Sequence, residues 1–296
     1  MNDKAAPFKM PALEQLDVAK SPVLYHYCSL ETLLSIIQYK SLRLSDINTM
    51  NDYSEMHWAY EKFIEAVNLV REHYEDAYFD FLDVSIGHTQ LNTLMLVACF
   101  STDGDVLSQW RAYGDNGMGV AVGFDSQTME NLAVRVGQVT YDPTLQVQYY
   151  RDLLVAAFPW WKLAKNEAER KEVGQFISHQ TFDMCLMKNP AFSEEKEVRI
   201  VRAVNVLHDD DGWHLKDPGG NGPDKISKQK LPIKYRAKGP GIVAHLDLPI
   251  GGMGSKFIKE IVIGPRSSNN GIEVSMALNA NGFKGCQLRK SKVTYR

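Results

Sequence analysis

The chain has 296 residues, 23% of them charged and 44% hydrophobic by a broad count, with a net charge of −3. That balance fits a soluble globular protein of one large or two modest domains and excludes a global basic field for nucleic acid or an anionic membrane surface. The four cysteines, Cys28, Cys99, Cys185 and Cys286, form no Cys-x-x-Cys pair, so reduced thiols and a cytoplasmic setting are expected.

Residues 1–22 read as a flexible N-terminal arm ending at Ser21-Pro22. "VLYHYCS" follows as a short strand rich in aromatic and β-branched residues. Ser29 is placed to cap the next segment, "LETLLSIIQYK", whose Leu30, Leu33, Leu34, Ile36 and Ile37 recur at helical spacing. "SLRLS" alternates as a second strand, and the Asp- and Asn-rich stretch after it is a polar turn. From Glu55 to about Arg71 the apolar positions form an amphipathic helix stripe. "TLMLVACFS" is a central strand; its run Leu94 to Phe100 is too short to span a bilayer. A turn, a short helical piece and a Gly-rich loop lead into the strands "GVAVGFD" and "LAVRVGQVTY".

Residues 143–187 are helical in pattern, broken at Pro159, and read as an insertion or small subdomain. "EKEVRIVRAV" is the next strand. Residues 208–224 are a polar excursion with four Gly and two Pro. Strands near 241–248 and 260–264, a helix over about 269–281 and terminal strands complete the chain. Helices cluster rather than alternate one for one with strands, which favours an α+β domain over residues 23–296.

The strand "EKEVRIV" poses a chemical question. Side chains alternate along a strand, so Glu195, Glu197 and Arg199 share one face, with the two carboxylates roughly 7 Å apart. Two ionised carboxylates repel, and burial raises the cost, unless water, a cation or a ligand hydroxyl enters. One solution is a solvated face with a Glu197–Arg199 ion pair; the other is a carboxylate-lined cleft. In "LYHYCS", His26 is either a core histidine with a satisfied hydrogen bond or a group that bonds a sugar hydroxyl or amide. Tyr25 and Tyr27 can stack on a planar ring. Ser101 and Thr102 end a core strand, where sheets commonly carry ligand groups. Trp110 and Tyr113, three apart on a helical turn, fall on one face and read as core caps or site aromatics. Gly114, Gly117 and Gly119 allow close backbone approaches or positive-φ turns.

Other motifs are missing. "GGMGSKF" lacks phosphate-loop spacing, no Gly-x-Ser-x-Gly elbow occurs, and the histidines follow no zinc pattern, so no metal is predicted. Asp209 to Asp211 read as a solvated acidic turn.

Four stretches together resemble a bacterial domain family of unknown function, numbered twenty-nine seventy-one. They are Tyr25-His26-Tyr27-x-Ser29 with the following helix and "LRLSDINTMND", then "CFSTDGDVLSQWRAYGDNGMGVAVGFD", "FSEEKEVRIV", and "IVIGPRS" with "SKVTYR". The order of an early His, middle Ser/Thr and aromatics, and a late Glu is also similar to the ADP-ribosyltransferase superfamily. That resemblance implies a split mixed or antiparallel sheet with flanking helices and NAD as substrate. It implies His26 as an anchor, Ser101 as the middle-strand group, Tyr113 as a stacking ring, and Glu197 as the driving carboxylate with Glu195 as its partner. Tyr27, Ser29, Thr102, Trp110 and Arg199 join the expected cofactor-binding set.

The leading expectation is therefore an ADP-ribosyltransferase-like protein that binds NAD and transfers ADP-ribose to a macromolecule, as a toxin or phage-defence effector. One alternative is a non-catalytic nucleotide-binding or protein-interaction module. A second is a metal-dependent hydrolase or nuclease using Glu195, Glu197 and Asp52. The expected partners are a nucleotide-type small molecule and a macromolecular acceptor, with no membrane.

Overall fold

The computed structural model describes residues 13–50 and 55–295; Asp52 and the first part of the expected arm lie outside them. In chain order the elements are β1 (Val23–Cys28), α1 (Leu30–Tyr39), β2 (Ser41–Asp46), α2 (Glu55–Val70), α3 (Asp76–Asn92), β3 (Thr93–Ser101) and α4 (Leu107–Ala112). β4 (Val120–Asp125), α5 (Ser126–Met129), β5 (Arg135–Gln138), α6 (Pro143–Leu163), α7 (Glu167–Gln180) and β6 (Glu197–Asp209) follow. The chain continues with β7 (Gly212–Lys216), β8 (Lys234–Lys238), β9 (Gly241–Pro249), β10 (Ile258–Ile263), α8 (Ile272–Ala280) and β11 (Gln287–Lys290). The result is a mixed α/β protein with one open sheet, antiparallel except for the β10–β11 pair.

β3 organises that sheet. One of its edges pairs with β6 along the whole register from Thr93↔Asn205 to Ser101↔Glu197. The other edge is shared. β1 meets it only at Tyr25↔Ser101, and β2 only at Ser45↔Val97 and Asp46↔Leu96. β1 then continues along β4, β10 and β11, whereas β2 continues along β9 and β8. The two halves diverge and leave Ala98, Cys99 and Phe100 without a strand partner on that edge.

One sheet face is mainly apolar: Leu24, Leu96, Phe100, Val122, Phe124, Val198, Ile200, Leu246 and Ile261 are buried there with Leu33 and Ile37 of α1 and Val274 and Leu278 of α8. The Ser29 side chain accepts from Thr32 N at 3.2 Å and starts α1; Lys40, with φ of 48°, ends it. On the opposite face Met95, Val97 and Val201 meet Ile47, Cys185 and Leu186. Beyond them α2, α3, α6 and α7 form a second core around Phe63, Tyr78, Tyr150 and Trp161. Residues 143–187 thus pack on α2 and α3. Leu13 and Leu16 are packed against these cores as well.

Four local expectations change. α6 runs through Pro159 without breaking, because the helix is held on both sides of it by buried Leu153, Leu154, Ala157 and Trp161. The expected polar excursion contains β7, which pairs with the end of β6 as a hairpin closed at Asp209↔Gly212. The strand expected from Glu195 starts at Glu197, because Glu195 ends the 3-10 turn Pro190–Glu195 and Lys196 takes a left-handed conformation. α3 and β8 are additional elements.

Candidate functional site

A cavity of about 500 Å³ opens where β1 and β2 separate on β3, within the size range usual for small-molecule sites. Its lining includes Tyr25, His26 and Tyr27 of β1, Cys99 and Phe100 of β3, Tyr113, Lys188, Glu195, Glu197, Arg199 and Glu55.

His26 sits in the opening itself. Strand alternation points it toward the apolar face, opposite to Glu197, and its ring lies 5.6 Å from that of Phe100. Its Nδ1 is 2.9 Å from Cys99 O, an unladdered carbonyl at the split. A carbonyl can only accept, so Nδ1 carries the proton. Burial holds the His26 pKa below its ordinary value, partly offset by that carbonyl. The ring is therefore neutral at neutral pH, and Nε2 is an acceptor.

Across the cavity is a buried charge cluster. Arg199 spans Glu197 in a fork, Nε to Oε1 at 2.7 Å and Nη2 to Oε2 at 2.9 Å, and Nη1 reaches Cys185 O at 2.6 Å. The same guanidinium pairs with Glu55. Lys188 Nζ lies 2.5 Å from Glu195 Oε2 and 3.1 Å from Glu197 Oε2, so one ammonium bridges both carboxylates. Tyr113 OH donates to Glu195 Oε1 at 3.2 Å, and Glu197 N donates to Tyr141 OH at 3.0 Å.

The electrostatics separate the carboxylates. Burial alone would push Glu197 up, but Arg199 and then Lys188 outweigh it and hold its pKa at about 2. Burial pushes Glu55 up despite Arg199. Burial, then the neighbouring Glu195, pushes the Tyr113 hydroxyl to about 12. Burial and Glu197 raise the Cys99 thiol well above its ordinary value, so it is protonated and unreactive.

Of the residues expected at a site, His26, Tyr27, Tyr113, Glu195, Glu197 and Arg199 line this one cavity. The others do structural work. Ser29 caps α1. Ser101, buried, donates to Glu195 O at 2.7 Å, and Thr102 N bonds Lys196 O at 3.1 Å, so both anchor the turn that carries Glu195. Trp110 is fully buried, donates from Nε1 to Asp105 Oδ1 at 2.9 Å and packs edge-on against Tyr27. Trp110 and Tyr113 do not share a face, because α4 ends at Ala112 and Tyr113 follows it with non-helical angles. The Gly-rich loop is also structural: Gly117 has φ of 82°, and a Cβ on Gly119 would stand 2.1 Å from Cys28 O. Neither expected form of the Glu197 face is complete. The Glu197–Arg199 pair is present, but it is buried rather than solvated.

Lys188, Glu55 and Tyr141 were not expected. No local pattern in "LMKNPAF" marks Lys188; only the turn that follows brings it to Glu195 and Glu197. Among the described residues no group of three or more His, Cys, Asp or Glu has metal-binding geometry, and no helix is long and apolar enough to cross a membrane.

The segment from Gln109 to Ile200 carries the cavity residues Tyr113, Lys188, Glu195, Glu197 and Arg199. Residues 109–200 match the family model DUF2971, described as a protein of unknown function. The expected family resemblance is borne out over that segment. The DUF2971 match includes residues 143–187 and leaves β1 with His26 outside it. No curated protein and no solved structure matches the chain in the corresponding comparisons.

Proposed function

We propose that the cleft binds an NAD-type dinucleotide and that the chain acts as an ADP-ribosyltransferase-like protein on a macromolecular acceptor. The observation that carries this reading is His26. Its proton is committed to Cys99 O, so Nε2 offers a fixed acceptor to a ribose hydroxyl on the same cavity as Glu195 and Tyr113. The separation of β1 from β2 supports an ADP-ribosyltransferase-like split sheet, in which the ligand enters between the halves.

Cleavage of the nicotinamide–ribose bond sends its electron pair out with neutral nicotinamide and builds positive charge at the anomeric carbon. Glu55, Glu195 and Glu197 against Lys188 and Arg199 leave a net charge of −1 when all five are ionised, which favours that state. Glu195 is the carboxylate suited to receive the acceptor's proton, since Glu197 is occupied by Arg199 and Lys188. Tyr113 supplies a ring face for the nicotinamide. Glu197 then acts as a positioning residue that holds Lys188 and Arg199.

The same occupancy of Glu197, with Lys188 seated between the carboxylates, favours a second reading as a non-catalytic nucleotide-binding module. NAD titration calorimetry combined with a nicotinamide-release assay separates the two. The transferase reading predicts saturable binding, release, about tenfold weaker binding in His26→Ala, and about 100-fold slower release in Glu195→Gln. Binding without release supports the module. Absence of binding removes both.

A further inference from the structure

We infer that the β2–β8 end of the same cavity is a diphosphate subsite, with Arg43, Arg236 and Lys238 as its cationic groups. This rests on the nucleotide reading of the cleft and assigns the ligand's orientation in it. All three residues line the cavity. Arg43 pairs in register with Asp247, and Arg236 with Val243. Alternation therefore puts Arg43, Arg236 and Lys238 on the sheet face opposite buried Leu42, Leu44, Leu246 and Leu248, which is also the face of Cys99, Glu197 and Arg199.

Charge is unbalanced there. Among the described residues, Asp247 is the one carboxylate that β2, β8 and β9 bring to the cavity wall, and it is already shared between Arg43 Nε at 2.9 Å and Lys234 Nζ at 3.0 Å. Lys238 Nζ donates to a backbone carbonyl, Thr49 O, at 2.8 Å. Arg236 Nε is buried with no hydrogen-bond partner among the described residues. A buried guanidinium nitrogen left without an acceptor is costly, and a phosphate oxygen satisfies it in the geometry guanidinium groups favour.

β2 and β8 lie on either side of β9, and Arg43 and Arg236 face β9 residues four apart, so the two arginines start about 17 Å apart at the backbone. A diphosphate bridges the two when both side chains extend toward each other over β9. The opposite end of the cavity holds the carboxylates Glu55, Glu195 and Glu197 and disfavours phosphate. The ligand is thereby oriented with its phosphates toward β8 and its uncharged or cationic ring toward Glu195.

Titration calorimetry with inorganic pyrophosphate, ADP and NAD tests this on the wild type, Arg236→Gln and Lys238→Gln, with a thermal melt of each variant. The expected result is binding of all three ligands that weakens with salt, with Kd about tenfold higher in Arg236→Gln. Lys238→Gln, on an exposed side chain, gives the same direction should Arg236→Gln fail to fold. Equal NAD affinity in wild type and both variants overturns the subsite and leaves the dinucleotide reading standing. Variant-sensitive binding of pyrophosphate and ADP without binding of NAD retains the subsite and overturns the dinucleotide. Binding of none of the three to the wild type overturns both.

Discussion

Glu197 shows how burial changes what a carboxylate can do. Its two oxygens take three bonds from Arg199 and Lys188, so it is fixed in charge and poor as a base. Removing one partner of a buried ion pair typically costs about 3–5 kcal/mol. Glu197→Gln is therefore expected to lower stability in this range in urea melts, and loss of activity in it would be confounded with loss of folding. Glu195, bonded by one ammonium and one phenol, should tolerate Gln at about 1–2 kcal/mol.

Proton linkage gives a second prediction at this scale. The folded pKa of Glu197 is depressed from 4.5 to about 2. Its stabilisation, about 3 kcal/mol, is present in full above pH 4.5 and is lost as pH falls toward 2. His26 is also depressed from 6.5, so its contribution is present above pH 6.5 and declines as pH falls below it. Glu55 and Asp183 are raised by burial and oppose the acid loss. The penalty of Glu197→Gln relative to wild type should be full at pH 6 and smaller at pH 3 in denaturant melts. A penalty independent of pH would contradict the ionised, paired state of Glu197.

At the scale of elements, α6 carries Pro159 at an exposed position inside its span. The missing N–H and the ring clash work against the helix, while proline's restriction of the unfolded chain works for it. Pro159→Ala should raise stability by about 1–2 kcal/mol, read as a higher melting temperature; a lower one would mean that the ring itself packs. Elements were legible where periodicity was clean. Apolar alternation marked β1, β2 and β3, and the Leu/Ile spacing behind Ser29 marked α1. β8, "KYRAK", has no apolar alternation because it is an exposed edge strand held by its pairing with β9. α3 is legible only in hindsight through Tyr78, Leu82 and Ile86, buried at four-residue intervals among acidic neighbours.

At the scale of the whole molecule, part of the site was open to sequence reasoning. His26, Tyr113, Glu195, Glu197 and Arg199 could be named because their residue types are unusual in their local patterns. Lys188 and Glu55 could not, since what defines them is a neighbour far along the chain: Glu55 meets Arg199 only when α2 folds over β6. A split sheet was expected only through the resemblance, since the divergence of β1 and β2 from one edge of β3 around α1 is a matter of topology rather than composition. Trp110 went the other way, as a site-type residue that the fold spends on fixing the loop from Asp103 to Val106 beneath Tyr27.

The central claim is that the opening between β1 and β2 receives a dinucleotide, and a crystal structure of the wild-type protein soaked with NAD tests it most directly. The account predicts a ribose hydroxyl within hydrogen-bonding distance of His26 Nε2, the nicotinamide against Tyr113 and Glu195, and the diphosphate against Arg236. Density for NAD elsewhere on the protein, or none in the opening under saturating soaks, would contradict it.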